Sequence, residues 1–304
     1  MAITLQPRAD SGFKLYYYDP SFAAAVLFAV VFGGFSIRHL ILLIKTRTWC
    51  FIPFFVGCLF ETLGYAARSY SAKQTPDWTL MPYVGQSMLI LLGPAFYAAS
   101  IYMVLGRLIT NLDANSYSLI RVKWLAKFFL MGDILSIFGQ GGGGGLLATA
   151  KSESSQNMGN NVILLGLGIQ VVFFGFFMIV TTVFHIRITL KPTTRSMHTQ
   201  IPGQKFIWVL YFSSLLIMVR SIFRMIEYAQ GHDGSLIQKE IYVYVLDALL
   251  MTMVSMVFSV FHPSRVLDDH GNLKDDGEFP SNGADSYPLY GHGNGSRTLN
   301  EIAS

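Results

Sequence analysis

Seven blocks of roughly twenty nearly uncharged residues, set apart by short polar connections, constrain this chain more than any other feature. About twenty residues at ~1.5 Å rise each cross the ~30 Å hydrocarbon core of a bilayer as an α-helix. The blocks fall at about 21–44, 49–70, 81–106, 124–147, 162–184, 206–227 and 241–261. Charged residues make up only 13% of the chain, against about 25% in a soluble domain, and the spans absorb almost all of the apolar content. The expected fold is therefore all-α: a polytopic, seven-transmembrane helix bundle over residues 21–263. It carries a short N-terminal segment, 1–20, and a polar tail, 264–304, rich in Asp, Gly, Asn and Ser that reads as disordered.

The first block is too long for the apolar region of a signal peptide and ends in Arg38, Lys45 and Arg47, so it is expected to remain as a span. Lys and Arg concentrate in the first, third and fifth connections: Lys45 and Arg47; Arg107, Arg121 and Lys123; Arg187, Lys191, Arg195 and Lys205. The even connections hold little beyond Lys73, Lys151 and Lys239. By the positive-inside rule the N-terminus faces outside and the C-terminus faces the cytoplasm. Net charge is only +4 and follows this topology, so no nucleic-acid partner is expected. Tyr16, Tyr17, Tyr18, Trp49 and Trp78 suit the aromatic belt at the interfaces. Cys50 and Cys58, eight residues apart, stand ~12 Å from each other along a helix, too far for a disulfide.

Ionisable side chains at membrane depth are costly and usually face the bundle interior. Glu61, Asp133, Arg220, Arg224 and Asp247 lie well inside the spans, with Arg68 and Glu227 nearer the ends; Gln86, Gln140 and Gln170 add neutral polar groups. Helix rise puts Glu61 ~18 Å and Arg220 ~21 Å from the cytoplasmic starts of their spans. Asp247 lies ~9 Å and Gln170 ~12 Å from the outer ends of theirs. The set converges on the outer half of the bundle. Glu61 and Arg68 stand two turns apart on one face, and Arg220, Arg224 and Glu227 repeat at i, i+4, i+7. One reading is an ion-pair network that sets helix register. The other, favoured for the set as a whole, is a polar cavity that receives the head group of an amphipathic ligand.

Pro94, in the middle of the third span, removes a backbone donor and is expected to kink it. The run Gly141 to Gly145 closes the fourth span; it either lets helices approach closely or forms a loose turn. The seven histidines form no pair at i, i+4 within a span and no Cys/His cluster, and the spans offer none away from their ends. No metal, cofactor or catalytic residue is expected, nor an enzyme. Span seven has no lysine for a retinal Schiff base, and no phosphate-binding loop is present.

In order along the chain, Glu61-Thr62-Leu63-Gly64-Tyr65-Ala66-Ala67-Arg68, Pro94-Ala95 with Tyr102 and Gly106-Arg107, Asp133 with Gln140-Gly141, and Gly168 with Gln170 resemble the fungal RTA-like family, the lipid-translocating exporters. Arg220-Ser221-Ile222-Phe223-Arg224 with Glu227 is the most specific piece; Glu240, Tyr244, Asp247 and His262-Pro263 complete the series. The resemblance covers about residues 18–266. It implies a seven-span plasma-membrane protein of a fungus, in a family associated with sphingoid-base export or flipping, with sterol-analogue and azole resistance and, in one branch, with porphyrin transport. Glu61, Arg68, Gln86, Asp133, Gln140, Gln170, Arg220, Arg224, Glu227 and Asp247 are the candidate ligand-binding residues. Membrane lipids and an amphipathic small molecule, a sphingoid base or sterol-like compound, are the expected partners. Three activities remain open: a lipid transporter or flippase, a seven-span lipid receptor, and, disfavoured by the missing histidine cluster, a lipid hydrolase.

Overall fold

The computed structural model describes residues 20–74, 79–150, 152–193, 203–230 and 240–264. The chain divides into two units, Met1–Asp269 and His270–Ser304, and every described residue lies in the first. The N-terminal segment and the tail read from the sequence lie outside the described residues almost entirely.

Among the described residues all regular structure is helical. The helices are α1 (Phe22–Thr46), α2 (Ile52–Lys73), α3 (Leu80–Asn111), α4 (Val122–Thr149), α5 (Glu153–Leu190), α6 (Gly203–Gln230) and α7 (Glu240–Val260). Short 3-10 turns, Trp49–Phe51 and Asn115–Tyr117, precede α2 and α4. Six of the long helices are apolar and long enough to cross a membrane, and the protein is an integral membrane protein. The helix outside that six is α4, whose hydropathy is diluted by Lys123, Lys127, Asp133, Gln140 and its glycines.

Local chemistry explains the boundaries. Ser21 caps α1, its hydroxyl accepting from the Ala24 N–H, and Arg47 ends it in the left-handed conformation at φ 50°. Pro53 sits in the first turn of α2, where a missing N–H costs nothing. Ser152 caps α5 through the Ser155 N–H at 3.3 Å, so α5 begins nine residues ahead of the span expected at 162 and runs for 38 residues. Neighbouring helices pack in chain order, and α1 closes the ring against α7 while α3 also touches α6. In this arrangement α3 is central, with 72% of its span window buried against 22% for α1.

The glycine run is helix, not turn. Gly139 and Gly143 face α5 so closely that a Cβ would stand 3.1 Å from Gly166 Cα and 2.7 Å from the Gly159 carbonyl. Gly141, Gly142 and Gly145 meet nothing within 4 Å. One face of the run therefore permits backbone-to-backbone contact between α4 and α5, and the other is exposed. The outward faces elsewhere carry Leu27, Val30, Ile37, Leu165, Val172 and their like, as a lipid-facing belt requires.

Candidate functional site

All ten residues singled out from the sequence lie in the interior, and they form separate groups rather than one cavity lining. The central group joins α6 to α7. Arg220 and Arg224, one turn apart on α6, both engage the Asp247 carboxylate: Arg220 Nε donates to Oδ1 at 2.5 Å, and Arg224 Nη2 donates to Oδ2. Arg224 Nη1 also donates to Glu227 Oε2 at 2.7 Å. Asp247 is fully buried. A carboxylate held by two guanidinium groups is among the stronger arrangements available to buried charge. Asp247 stands in a π-helical stretch, Tyr244–Ala248, that interrupts the α-helical run of α7. Such bulges concentrate at functional sites because the extra residue re-aims a side chain.

The second donor arm of Arg220 explains Pro94. Proline has no N–H to give the carbonyl four residues earlier, which on α3 is that of Ile90. Arg220 Nη2 fills that vacancy, donating to the Ile90 carbonyl at 2.6 Å. The proline in α3 and the arginine in α6 thus form one device: the freed backbone acceptor satisfies a cation that would otherwise have surplus donors inside a membrane.

Glu61 faces this cluster from α2. It is completely buried, and neither carboxyl oxygen has a hydrogen-bond partner. It lies against Gly93, where an added Cβ would come within 2.6 Å of Oε1 and 3.0 Å of Cδ and Cγ. Gly57 and Gly64 repeat the close approach of α2 to α3 on either side: a Cβ would meet the Gly93 carbonyl at 2.8 Å and the Ile90 backbone N at 3.2 Å. Glycine at these three positions sets the helix spacing that places Glu61 beside the arginines.

Arg68 lies two turns along α2 from Glu61 and belongs to a different group. Its Nη2 donates to Glu240 Oε1 at 3.0 Å and its Nε to the Tyr244 hydroxyl at 3.1 Å. Both Glu240 oxygens accept from the Ser21 N–H, at 3.0 and 2.9 Å. Three helix ends, of α1, α2 and α7, are clasped there.

A third group lies between α4 and α5. Gln140 Nε2 donates to Ser136 Oγ at 2.6 Å and to Gln170 Oε1 at 3.0 Å. Asp133, one turn before Ser136 on α4, is buried with Tyr102 of α3 beside it. Gln86 is buried on α3.

The candidate set omitted a fourth polar layer. Tyr97 donates to Cys58 Sγ at 3.1 Å and pairs with Ser255 Oγ at 2.8 Å, and His39 Nε2 reaches the Ser255 carbonyl at 3.2 Å. His39 corrects the expectation that the spans hold no histidine away from their ends: it is fully buried within α1. The available signal was the fourfold spacing of Asp247, Met251, Ser255 and Ser259, three of them polar, on one face of α7. Glu240 and Tyr244, four apart, precede Asp247 by seven and three residues.

The family model described as RTA1 like protein matches residues 54–270. The chain is 37% identical to "Protoporphyrin uptake protein 1" of Saccharomyces cerevisiae, over 83% of this chain and 92% of that protein. It is 30% identical to "Probable lipid transporter atnI" of Emericella nidulans, over 88% and 70% of the two chains. It is 27% identical to "Sphingoid long-chain base transporter RSB1" of Saccharomyces cerevisiae, over 85% and 76%. No solved structure matches the chain.

Proposed function

The chain belongs to the RTA1-like family, and on that premise we propose that it is a transporter of amphipathic lipids, sphingoid long-chain bases or sterol-like compounds, acting in a fungal plasma membrane. In this reading the chain crosses the bilayer seven times, with α4 as the span of lowest hydropathy. Its 28-residue length and its place between α3 and α5 support counting it. The excess of Lys and Arg in the odd connections supports an outside N-terminus.

The observation that carries the proposal is Glu61: a wholly buried carboxyl without a hydrogen-bond partner, packed beside a cluster in which Asp247 already engages two arginines. An acid so placed is poised to receive a donor-rich cationic head group, such as the ammonium of a long-chain base, while the hydrocarbon chain stays in lipid. The names of two relatives, a lipid transporter and a sphingoid long-chain base transporter, support this ligand class.

A second reading, porphyrin transport, draws on the relative named for protoporphyrin uptake. There the ligand's carboxylates would compete with Asp247 for Arg220 and Arg224. Leaflet exchange of a fluorescent sphingoid base in liposomes, measured beside exchange of protoporphyrin, tests both readings. Faster movement of the base than in empty vesicles, lost when Glu61 is replaced by Gln in a chain that still purifies folded, supports the first. Binding without movement would make the protein a receptor instead.

A further inference from the structure

Around the central cluster, both Glu61 carboxyl oxygens, the Tyr65 hydroxyl and Arg224 Nε are buried without a hydrogen-bond partner. Glu61 and Tyr65 stand one turn apart on α2, so their side chains share a face. Tyr65 lies within electrostatic range of Glu61, Asp247 and Arg224, and Arg224 within range of Asp247, Glu227 and Tyr65. The unmatched atoms therefore belong to one place, beside the Asp247 carboxylate that Arg220 and Arg224 share.

Tyr65 is the unusual member. A buried tyrosine usually finds a partner for its hydroxyl, and leaving one unmatched forfeits its hydration with nothing in return. Other interior hydroxyls have an outlet. A serine can turn to the carbonyl four residues back, as Ser255 does to Met251 at 2.9 Å. Tyr97 bonds Cys58 and Ser255, and Tyr102 has Asp133 beside it. The hydroxyl of Tyr65 is fully buried and has none of these. Its ring is nonetheless held in place. It stacks on Phe32 at 5.6 Å and 8° and touches Phe28 at 5.6 Å, and Phe28 stacks on Tyr244 at 5.4 Å. This aromatic wall from α1, α2 and α7 fixes the ring without help from the hydroxyl. On the α1 side it is also the cover of the site, where Phe28 is half-buried on the least enclosed of the membrane-length helices.

We propose that Tyr65 and Arg224 complete the Glu61 site as a two-point binding site for an amphiphile that carries an amine and a hydroxyl on neighbouring carbons. The inference rests on the transport reading above and narrows its ligand. The amine donates to the Glu61 oxygens. The neighbouring hydroxyl accepts from Arg224 Nε and shares a hydrogen bond with the Tyr65 hydroxyl, which can give or take one. Each unmatched atom then has a partner, while the bonds of Asp247 to Arg220 and Arg224 stay as they are. An amine without the hydroxyl leaves Tyr65 and Arg224 Nε unmatched, and a fatty acid sets acceptor against acceptor at Glu61.

Displacement of fluorescent sphingosine from the detergent-purified full chain tests this, with sphingosine and octadecylamine as competitors. The second has the amine and a long chain but no hydroxyl. The wild type should bind sphingosine about three- to ten-fold more tightly, as hydrogen bonds of this kind provide. Tyr65→Phe should bring the two competitors together and leave the thermal unfolding midpoint unchanged or raised, since the hydroxyl removed has no partner to lose. Tyr97→Phe is the contrast: it removes bonds to Cys58 and Ser255, so the midpoint should fall and the preference should stay. If Tyr65→Phe keeps the preference, or if the wild type binds both amines alike, the two-point site is wrong although an amine site stands. A midpoint that falls in Tyr65→Phe as it does in Tyr97→Phe makes the hydroxyl structural and overturns the inference as well. If the wild type binds neither amine, the long-chain base reading falls and the inference falls with it.

Discussion

Replacing Gly93 by Ala should destabilise the bundle through one identifiable collision. The new Cβ would lie 2.6 Å from Glu61 Oε1 and 3.0 Å from both Cδ and Cγ, where ordinary contact begins near ~3.4–4 Å. Three consecutive atoms of the glutamate are in the way, so rotating the carboxyl tip alone gives no relief. Glu61 is also completely buried. Overpacking of this kind costs about 1–3 kcal/mol, partly offset by the better helix propensity of Ala, about 1 kcal/mol. At roughly 2–4 °C per kcal/mol for a chain of this size, the net loss should be measurable as a fall of several degrees in the thermal unfolding midpoint of the detergent-purified protein. Glu61→Ala removes the obstructing atoms, so Gly93→Ala on that background should cost nothing or stabilise slightly. The double-mutant cycle then isolates the contact as a coupling of about 1–3 kcal/mol. Equal effects of Gly93→Ala on the two backgrounds would refute the packing argument.

Other variants test separate parts of the structure. Asp247→Asn leaves two buried guanidinium groups without their shared anion and should cost about 3–5 kcal/mol, read as a loss of folded protein in size-exclusion chromatography; replacing Arg220 by Leu in the same chain should recover part of it. Gly143→Ala drives a methyl group toward the Gly159 carbonyl and Ile163 backbone N at 2.7 and 2.8 Å, and should lower the unfolding midpoint. Gly141→Ala enters open space and should raise it, by up to about 1 kcal/mol of helix propensity. Glu240→Gln weakens the charge-assisted bonds to Arg68 and to the Ser21 N–H. It is expected to speed hydrogen exchange at the first turn of α1 while leaving the α4–α5 contact unchanged.

Much of the interior was legible from residue type alone, because lipid leaves a charged side chain few places other than the inside. All ten candidate residues are interior for that reason. Their grouping was not legible. Spacing shows which residues share a face of one helix, but not how far each helix is rotated toward its neighbours. Glu61 and Arg68 share a face of α2, yet Arg68 pairs with Glu240 and Tyr244, residues about 170 positions away. Pro94 signalled a freed carbonyl, and nothing local named Arg220 as the group that takes it. The glycine run was ambiguous because low helix propensity speaks for a turn. Only the backbone contacts of Gly139 and Gly143 with α5, invisible in one dimension, make it helix. His39 carries no such signal because the partner of its Nε2 is a backbone carbonyl, which has no sequence signature.

The clasp of Ser21, Arg68 and Glu240 has a consequence for the order of biosynthesis. Its members come from the first, second and last helices, so it cannot form until the ribosome has delivered nearly all of the membrane domain. The same holds for the central cluster, whose arginines on α6 precede their anion on α7. Until α7 arrives, a nascent chain already in the bilayer carries Arg68, Arg220 and Arg224 without Glu240 or Asp247 to receive them. Each of these groups is a mark by which an unfinished copy differs from a finished one. A chain ending before Glu240 should therefore be held by the insertion machinery and degraded rather than accumulate as a partial bundle.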